Sequence, residues 1–301
     1  MTDETIAVSV ATVWTGPDAP RERDAAAIAD QPDLAAWTAS MDAASRLDLH
    51  GRMVTQALLG EPVVPLEEQA GWVRVVLPWQ PSGQHPDGYP GWVRATHVGA
   101  AAKPAEQTVA ITTASADCRT SDGLLTLSYG TCLPVLDAVA DADDTTVTLP
   151  GGLEGHVPTS RLRAPGPDPA AGWAASLLDS ARQFLGLRYL WGGTCGWGLD
   201  CSGFVHLAHR VHGRRVPRDA LDQLPAARAV EVDAARPGDL YFFARPGKPP
   251  SHVGFVTEPK GAGRPAMLHA PEETELIEEV TLSTGRLETL VGAGSFAPGD
   301  G

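Results

Sequence analysis

The stretch GLDCSGFVHLAHRVHG, residues 198–213, decides how the chain folds. A Gly-rich run ends at Asp200, and Cys201 follows at once. Phe204, Leu207, Ala208 and Val211 then recur at helical spacing, which predicts a loop over 192–198 and a helix from residue 201 onward. Cys201 thus stands in the first turn of a helix. The positive end of the helix field favours a thiolate there, and the thiolate is the nucleophilic form. Unpaired N–H groups of that turn can also hold an oxyanion. A lone cysteine in this position is more often a buried, inert thiol. It reads as a nucleophile only if a base and an orienting group accompany it.

Two histidines downstream supply the pair. His252 heads the strand-like SHVGFVT, and His269 ends AMLH, seventeen residues on. A sheet can hold both rings over the helix that carries Cys201, with His252 taking the thiol proton and His269 fixing its tautomer. His206, His209 and His212 recur every third residue on the helix itself. No carboxylate or cysteine completes a metal set at familiar spacing, so a packed or solvated helix face is the expectation there. His50, His85, His97 and His156 have no catalytic neighbours. Around this core, GWAASLLDSARQFLG reads as an amphipathic helix with a glycine stop, and DLYFFA precedes the two histidine strands. The order, helices and then sheet, predicts an α+β domain.

Two Pro- and Ala-rich breaks, at 98–107 and 163–172, separate what lies upstream. An Ala-rich helix is expected over roughly 24–45. Short alternating segments such as GWVRVVLP and GYPGWVRATHV read as strands. A second run of strands follows the first break. GYPGWVRATHV and GLEGHVPTSRL hold the same late place in each unit, which suggests two copies of one small β-barrel. The expected domains are 1–100, 101–165 and 171–301. The chain carries 32 Gly and 26 Pro, a turn-rich composition that suits short-stranded β units. Its net charge of -14 argues against nucleic-acid and anionic-membrane surfaces. The acidic start lacks a signal-peptide pattern, and no stretch reaches the roughly 18 apolar residues of a membrane span. A cytoplasmic chain with reduced thiols at Cys118, Cys132, Cys195 and Cys201 is the expectation.

DCSGFVHLAHRVHGRRVPRDALDQ, together with YLWGG, PGDLYFF, SHVGFV and MLHA in that order, resembles the signature of the NlpC-type cell-wall cysteine peptidases. The resemblance covers residues 171–301 and implies a papain-like α+β domain. It places Cys201 as nucleophile, His252 as base and His269 as the orienting residue. TQALLGEPV and DGYPGWV look like the first bacterial SH3-like barrel of the family's γ-D-glutamyl-L-diamino acid endopeptidases. That likeness implies two SH3-like barrels before the peptidase domain, and a cleft that takes murein peptides with a free N-terminal L-alanine. Tyr89 matches the barrel tyrosine that reaches the cleft, and Glu61 is similar to an acidic barrel residue. Tyr189, Asp200, Ser202 and Asp219 match substrate contacts. Ala220 stands where relatives carry a serine. On the residues alone Tyr89 also fits a turn aromatic beside Trp92, and Asp200 a helix N-cap.

The resemblance thus implies hydrolysis of the γ-D-glutamyl–diamino acid bond in wall recycling, with no cofactor or metal. Its partner is a small murein peptide, L-Ala-γ-D-Glu-diamino acid, with neither nucleic acid nor membrane. The same thiol could instead serve an N-acetylmuramoyl-L-alanine amidase or an acyl transferase. A wall-binding protein without catalysis is the third reading.

Overall fold

The computed structural model describes residues 3–137, 143–166, 172–272 and 275–298. Residues 167–171 of the second break lie outside them. The chain divides into two units, Met1–Pro165 with Leu190–Gly198, and Gly166–Tyr189 with Leu199–Gly301.

In the first unit, β1 (Val10–Trp14), β2 (Met53–Leu58), β3 (Val64–Gln69), β4 (Trp72–Leu77) and β5 (Tyr89–Arg94) form an antiparallel sheet in the order β2-β1-β5-β4-β3. All five residues of β1 are buried, as a strand near the middle of a sheet requires, and β5 alternates buried and half-buried positions. The β3–β4 hairpin turns on Ala70 and Gly71, both at positive φ, as a tight turn matched to the strand twist demands. The helix expected over 24–45 breaks into α1 (Ala25–Ile28), α2 (Leu34–Ser40) and α3 (Ala43–Leu47). Pro32 disfavours helix before it. Asp33 and Asp42 then restart the chain as N-caps, accepting from the amides of Ala36 and Ser45.

A second sheet contains β6 (Thr108–Ile111), β7 (Ser115–Thr120), β8 (Gly123–Ser128), β9 (Cys132–Asp137), β10 (Asp144–Thr148), β11 (Glu154–Pro158) and β12 (Leu162–Arg163), ordered β8-β7-β11-β10-β9-β6-β12. Its core gathers Ile111, Cys118, Leu127, Leu133 and Val157, with Leu59 from the first sheet's margin. Among the described residues neither sheet has a pairing that joins its first strand to its last, so the expected barrels are seen as two open antiparallel sheets.

Both sheets hold the segment Leu190–Gly198. The Thr194 amide donates to Gln56 Oε1 at 3.0 Å, and the Gly196 amide donates to Ser128 Oγ at 2.9 Å. A side chain at 196 would put its Cβ 2.0 Å from the Ala114 carbonyl oxygen, so only glycine allows this approach. The Gly-rich loop that leads toward Cys201 is therefore folded by residues more than sixty positions upstream.

The second unit is mixed α/β. Its helices are α4 (Trp173–Arg182), α5 (Cys201–Arg210), α6 (Ala220–Ala226) and α7 (Thr284–Glu288). Its strands are β13 (Arg228–Val230), β14 (Leu240–Phe243), β15 (His252–Glu258), β16 (Ala266–His269), β17 (Glu278–Thr281) and β18 (Leu290–Ser295), in the antiparallel order β13-β18-β14-β15-β16-β17. All ten residues of α5 are buried. It packs on β15 through Phe204 and Phe255, edge to face at 5.3 Å. Each ring is fully buried, worth about 1.5–3 kcal/mol apiece by area. That packing fixes the helix whose first residue is Cys201. No helix among the described residues is long and apolar enough to cross a membrane.

Candidate active site

Asp200 caps α5, accepting from the Gly203 amide at 2.7 Å, and so sets Cys201 at the helix start. The thiol Sγ lies 3.9 Å from the Ser251 carbonyl oxygen, and the Val253 and Ser202 amides reach it too. Ser251 and Val253 flank His252, so the opening of β15 brackets the sulfur.

His252 Nε2 meets His269 Nδ1 at 2.8 Å, with the rings nearly perpendicular. That contact occupies Nε2 and leaves Nδ1 as the other ring nitrogen. The close approach needs Gly254. A Cβ there would stand 2.8 Å from His269 Cβ, so a larger residue would push the second imidazole off the first.

The electrostatics reverse one expectation. Burial, followed by the Asp200 charge, pushes the Cys201 thiol up to about 12. The helix field and the amides around the sulfur act in the opposite sense, but the removal of solvent outweighs them. Burial also drives His252 well below its ordinary range, and the neighbouring His269 and Arg286 add to it. Both shifts favour the neutral thiol and the neutral imidazole.

Asp200 is also paired. Arg218, 1% exposed, donates Nη2 to Asp200 Oδ2 at 2.6 Å and Nη1 to Oδ1 at 3.0 Å, with a further bond to Ser202 Oγ at 3.0 Å. An Asp200 left bare until an ammonium binds is thus not what the structure has. Arg218 also lies 3.7 Å from Asp219, whose side chain keeps a quarter of its surface exposed. One guanidinium thus meets two carboxylates next to Cys201. Arg218 was not legible as a site residue, because its partner lies eighteen positions upstream. Arg218→Met is expected to cost about 3–5 kcal/mol, since it strands a buried carboxylate. Guanidinium unfolding checks it, and an unmoved midpoint would contradict it.

Tyr189 is buried, and its phenol is held well above its usual range by burial first and then by Cys201 and Asp200, so it stays a neutral donor. Ala220 opens α6 directly after its cap residue, Asp219, and offers a methyl where a hydroxyl is expected. Tyr89 and Glu61 fold in the first unit. Tyr89 packs among Val13, Val75 and Val93 in that unit's core. Glu61 is 1% exposed and accepts from the Leu58 amide at 2.9 Å and from Gln80 Nε2 at 3.2 Å. His206, His209 and His212 are buried packing residues, and no group of three or more metal-ligating side chains gathers among the described residues.

Comparison with known proteins follows the same division. The NlpC/P60 family model matches residues 186–292, and that of the bacterial dipeptidyl-peptidase SH3 domain matches residues 48–98. The chain is 34% identical to the γ-D-glutamyl-L-lysine dipeptidyl-peptidase of Bacillus cereus, covering 97% of this chain and 90% of that one. It is 36% identical to the Bacillus subtilis enzyme of the same name, over 93% of each. The crystal structure of an NlpC/P60 family protein from Bacillus cereus matches with a TM-score of 0.89 at 30% identity, over 98% of this chain and all of that one.

Proposed function

The chain belongs to the NlpC/P60 family and is a peptidase, and on that premise we propose that it is a cysteine endopeptidase cleaving the γ-D-glutamyl–diamino acid bond of murein peptides that carry a free N-terminal L-alanine. The observation that carries the reading is Cys201 at the start of a buried helix, bracketed by the residues on either side of His252, with His269 behind His252. His252 takes the thiol proton as the sulfur attacks the γ-carbonyl of D-glutamate. Amides near the helix start hold the oxyanion. The C–N bond breaks, and the amine of the diamino acid leaves with the proton from His252. Water then attacks the thioester, returns a proton through His252 and frees the thiol.

Tyr89, Tyr189, Asp200, Ser202 and Asp219 are the proposed substrate contacts. Glu61, whose oxygens already hold the Leu58 amide and Gln80, acts through that network. The part-exposed Asp219 carboxylate beside Arg218 and Asp200 supports a substrate bearing an ammonium. The two sheets of the first unit are proposed as SH3-like barrels over 1–100 and 101–165, with the peptidase domain over 171–301. A free alanine amine exists only after the bond joining that alanine to the wall has been cut, which supports a cytoplasmic role in recycling.

L-Ala-γ-D-Glu-diaminopimelate and its N-acetylated form, followed by mass, test this. The free peptide is expected to be cut and acetylation to lower kcat/KM about 100-fold or more. Equal rates would remove the free-amine requirement. An intact peptide beside cleavage of a muramoyl–alanine bond would make the chain an amidase.

A further inference from the structure

His269 has a second neighbour on its far side. Its Nε2 lies 3.5 Å from Glu278 Oε1. The two residues are directly opposed in register between β16 and β17, the arrangement in which cross-strand side chains interact on one face. Glu279, next along β17, points to the other face and is engaged by Arg182 at 2.9 and 3.0 Å. Glu278 is therefore the acidic side chain that the strand presents to the imidazole pair. We infer that Glu278 is a positioning residue that sets the tautomer of His269 and, through it, that of His252, resting on the cysteine-peptidase reading above.

The argument is one of donor and acceptor accounting. His252 must keep Nδ1 unprotonated to receive the thiol proton, so its Nε2 carries hydrogen and donates to His269 Nδ1. His269 can accept there only if its own hydrogen sits on Nε2. A neutral imidazole is free to choose either nitrogen. A carboxylate facing Nε2 favours the required choice. Without it, His269 can put its hydrogen on Nδ1 and force that of His252 onto the nitrogen facing the sulfur. The relay then reads Cys201 S–H to His252 Nδ1 and His252 Nε2–H to His269 Nδ1, with the Glu278 carboxylate 3.5 Å from His269 Nε2, a charge contact rather than a hydrogen bond. The thiol proton stops at His252. Among the described residues Arg286, from α7, also faces His252 and disfavours a positive charge on it.

Glu278→Gln and Glu278→Ala in the full chain test this by three readouts. Steady-state turnover of L-Ala-γ-D-Glu-diaminopimelate should show kcat about tenfold lower in Glu278→Ala with KM within about twofold. Alkylation of Cys201 by iodoacetamide, which needs no peptide, should slow, and its pH profile should move to higher pH. Nitrogen NMR of the histidines should show His269 as the Nε2–H tautomer in the wild type and as a mixture in the variants. Glu278→Gln, which keeps an acceptor oxygen and the side-chain length, should fall between the two. If the wild type cleaves the peptide and both variants match it in all three readouts, the relay is wrong and the substrate reading stands. If the wild type leaves the peptide intact while the alkylation profile and tautomer still respond to Glu278, the relay stands and the substrate reading falls.

Discussion

Cys201→Ala is expected to leave less than about 1 part in 10,000 of the wild-type turnover, with the fold intact. The proposed reaction passes through a thioester on Cys201, and alanine has no atom to form it. The change removes one sulfur from a site that is 7% exposed, and the Asp200 cap and its Arg218 partner remain. A stability change within about 1 kcal/mol is the expectation. Cys195 provides the control. It is fully buried, and burial pushes its thiol to about 12, as with Cys201. Among the described residues its sulfur meets the amides of Trp197 and Gly198 rather than a histidine pair. Cys195→Ala should therefore keep its turnover. Burial and a raised pKa are common to both residues, so neither property by itself marks a nucleophile. Residual turnover above about 1% in Cys201→Ala would move the nucleophile elsewhere.

The difference between these two cysteines also marks what the sequence could tell. The place of Cys201 at a helix start was legible because a glycine-rich run, an N-cap and a helical period all converge on it. His252 and His269 were legible as strand ends, and β15 and β16 begin and end where the apolar runs do. The rest needed register or tertiary burial. Glu278 reaches His269 only through the pairing of β16 with β17. Arg218 looks like one of several arginines after the helix, and only the return of the chain buries it on Asp200. The Gly-rich loop read as a local connector, yet Gln56 and Ser128 hold it. The helix field at Cys201 was a local inference with the right sign, overturned by burial that no local pattern reports.

Acid is expected to unfold the protein through the residues that looked most like a metal site. His206 and His209 donate Nδ1–H to the carbonyls of Val216 and Val205 at 2.6 and 2.8 Å, and their Nε2 atoms are buried without a hydrogen-bond partner. His209 is walled by Trp173, Phe255 and Phe296 at 5.6–5.9 Å between ring centres. Burial lowers both rings to about 3. In the unfolded chain each titrates near about 6.5. Above that value neither state binds the protons, and stability is flat. Below it the unfolded chain takes up two protons that the folded chain refuses, so stability falls as the pH falls, until the folded rings themselves titrate near 3. The loss is about 2 kcal/mol per ring at pH 5, or about 4 kcal/mol for both, and it steepens toward about 1.4 kcal/mol per ring for each further pH unit. Against the roughly 5–15 kcal/mol that holds a typical domain, that brings acid unfolding into the pH 4–5 range. Denaturant midpoints between pH 7 and 4.5 measure the slope. His209→Phe keeps an aromatic ring among aromatic neighbours and removes one titrating group, so its acid limb should flatten by about one proton. Identical limbs in the wild type and His209→Phe would mean that His209 takes up its proton without unfolding the chain.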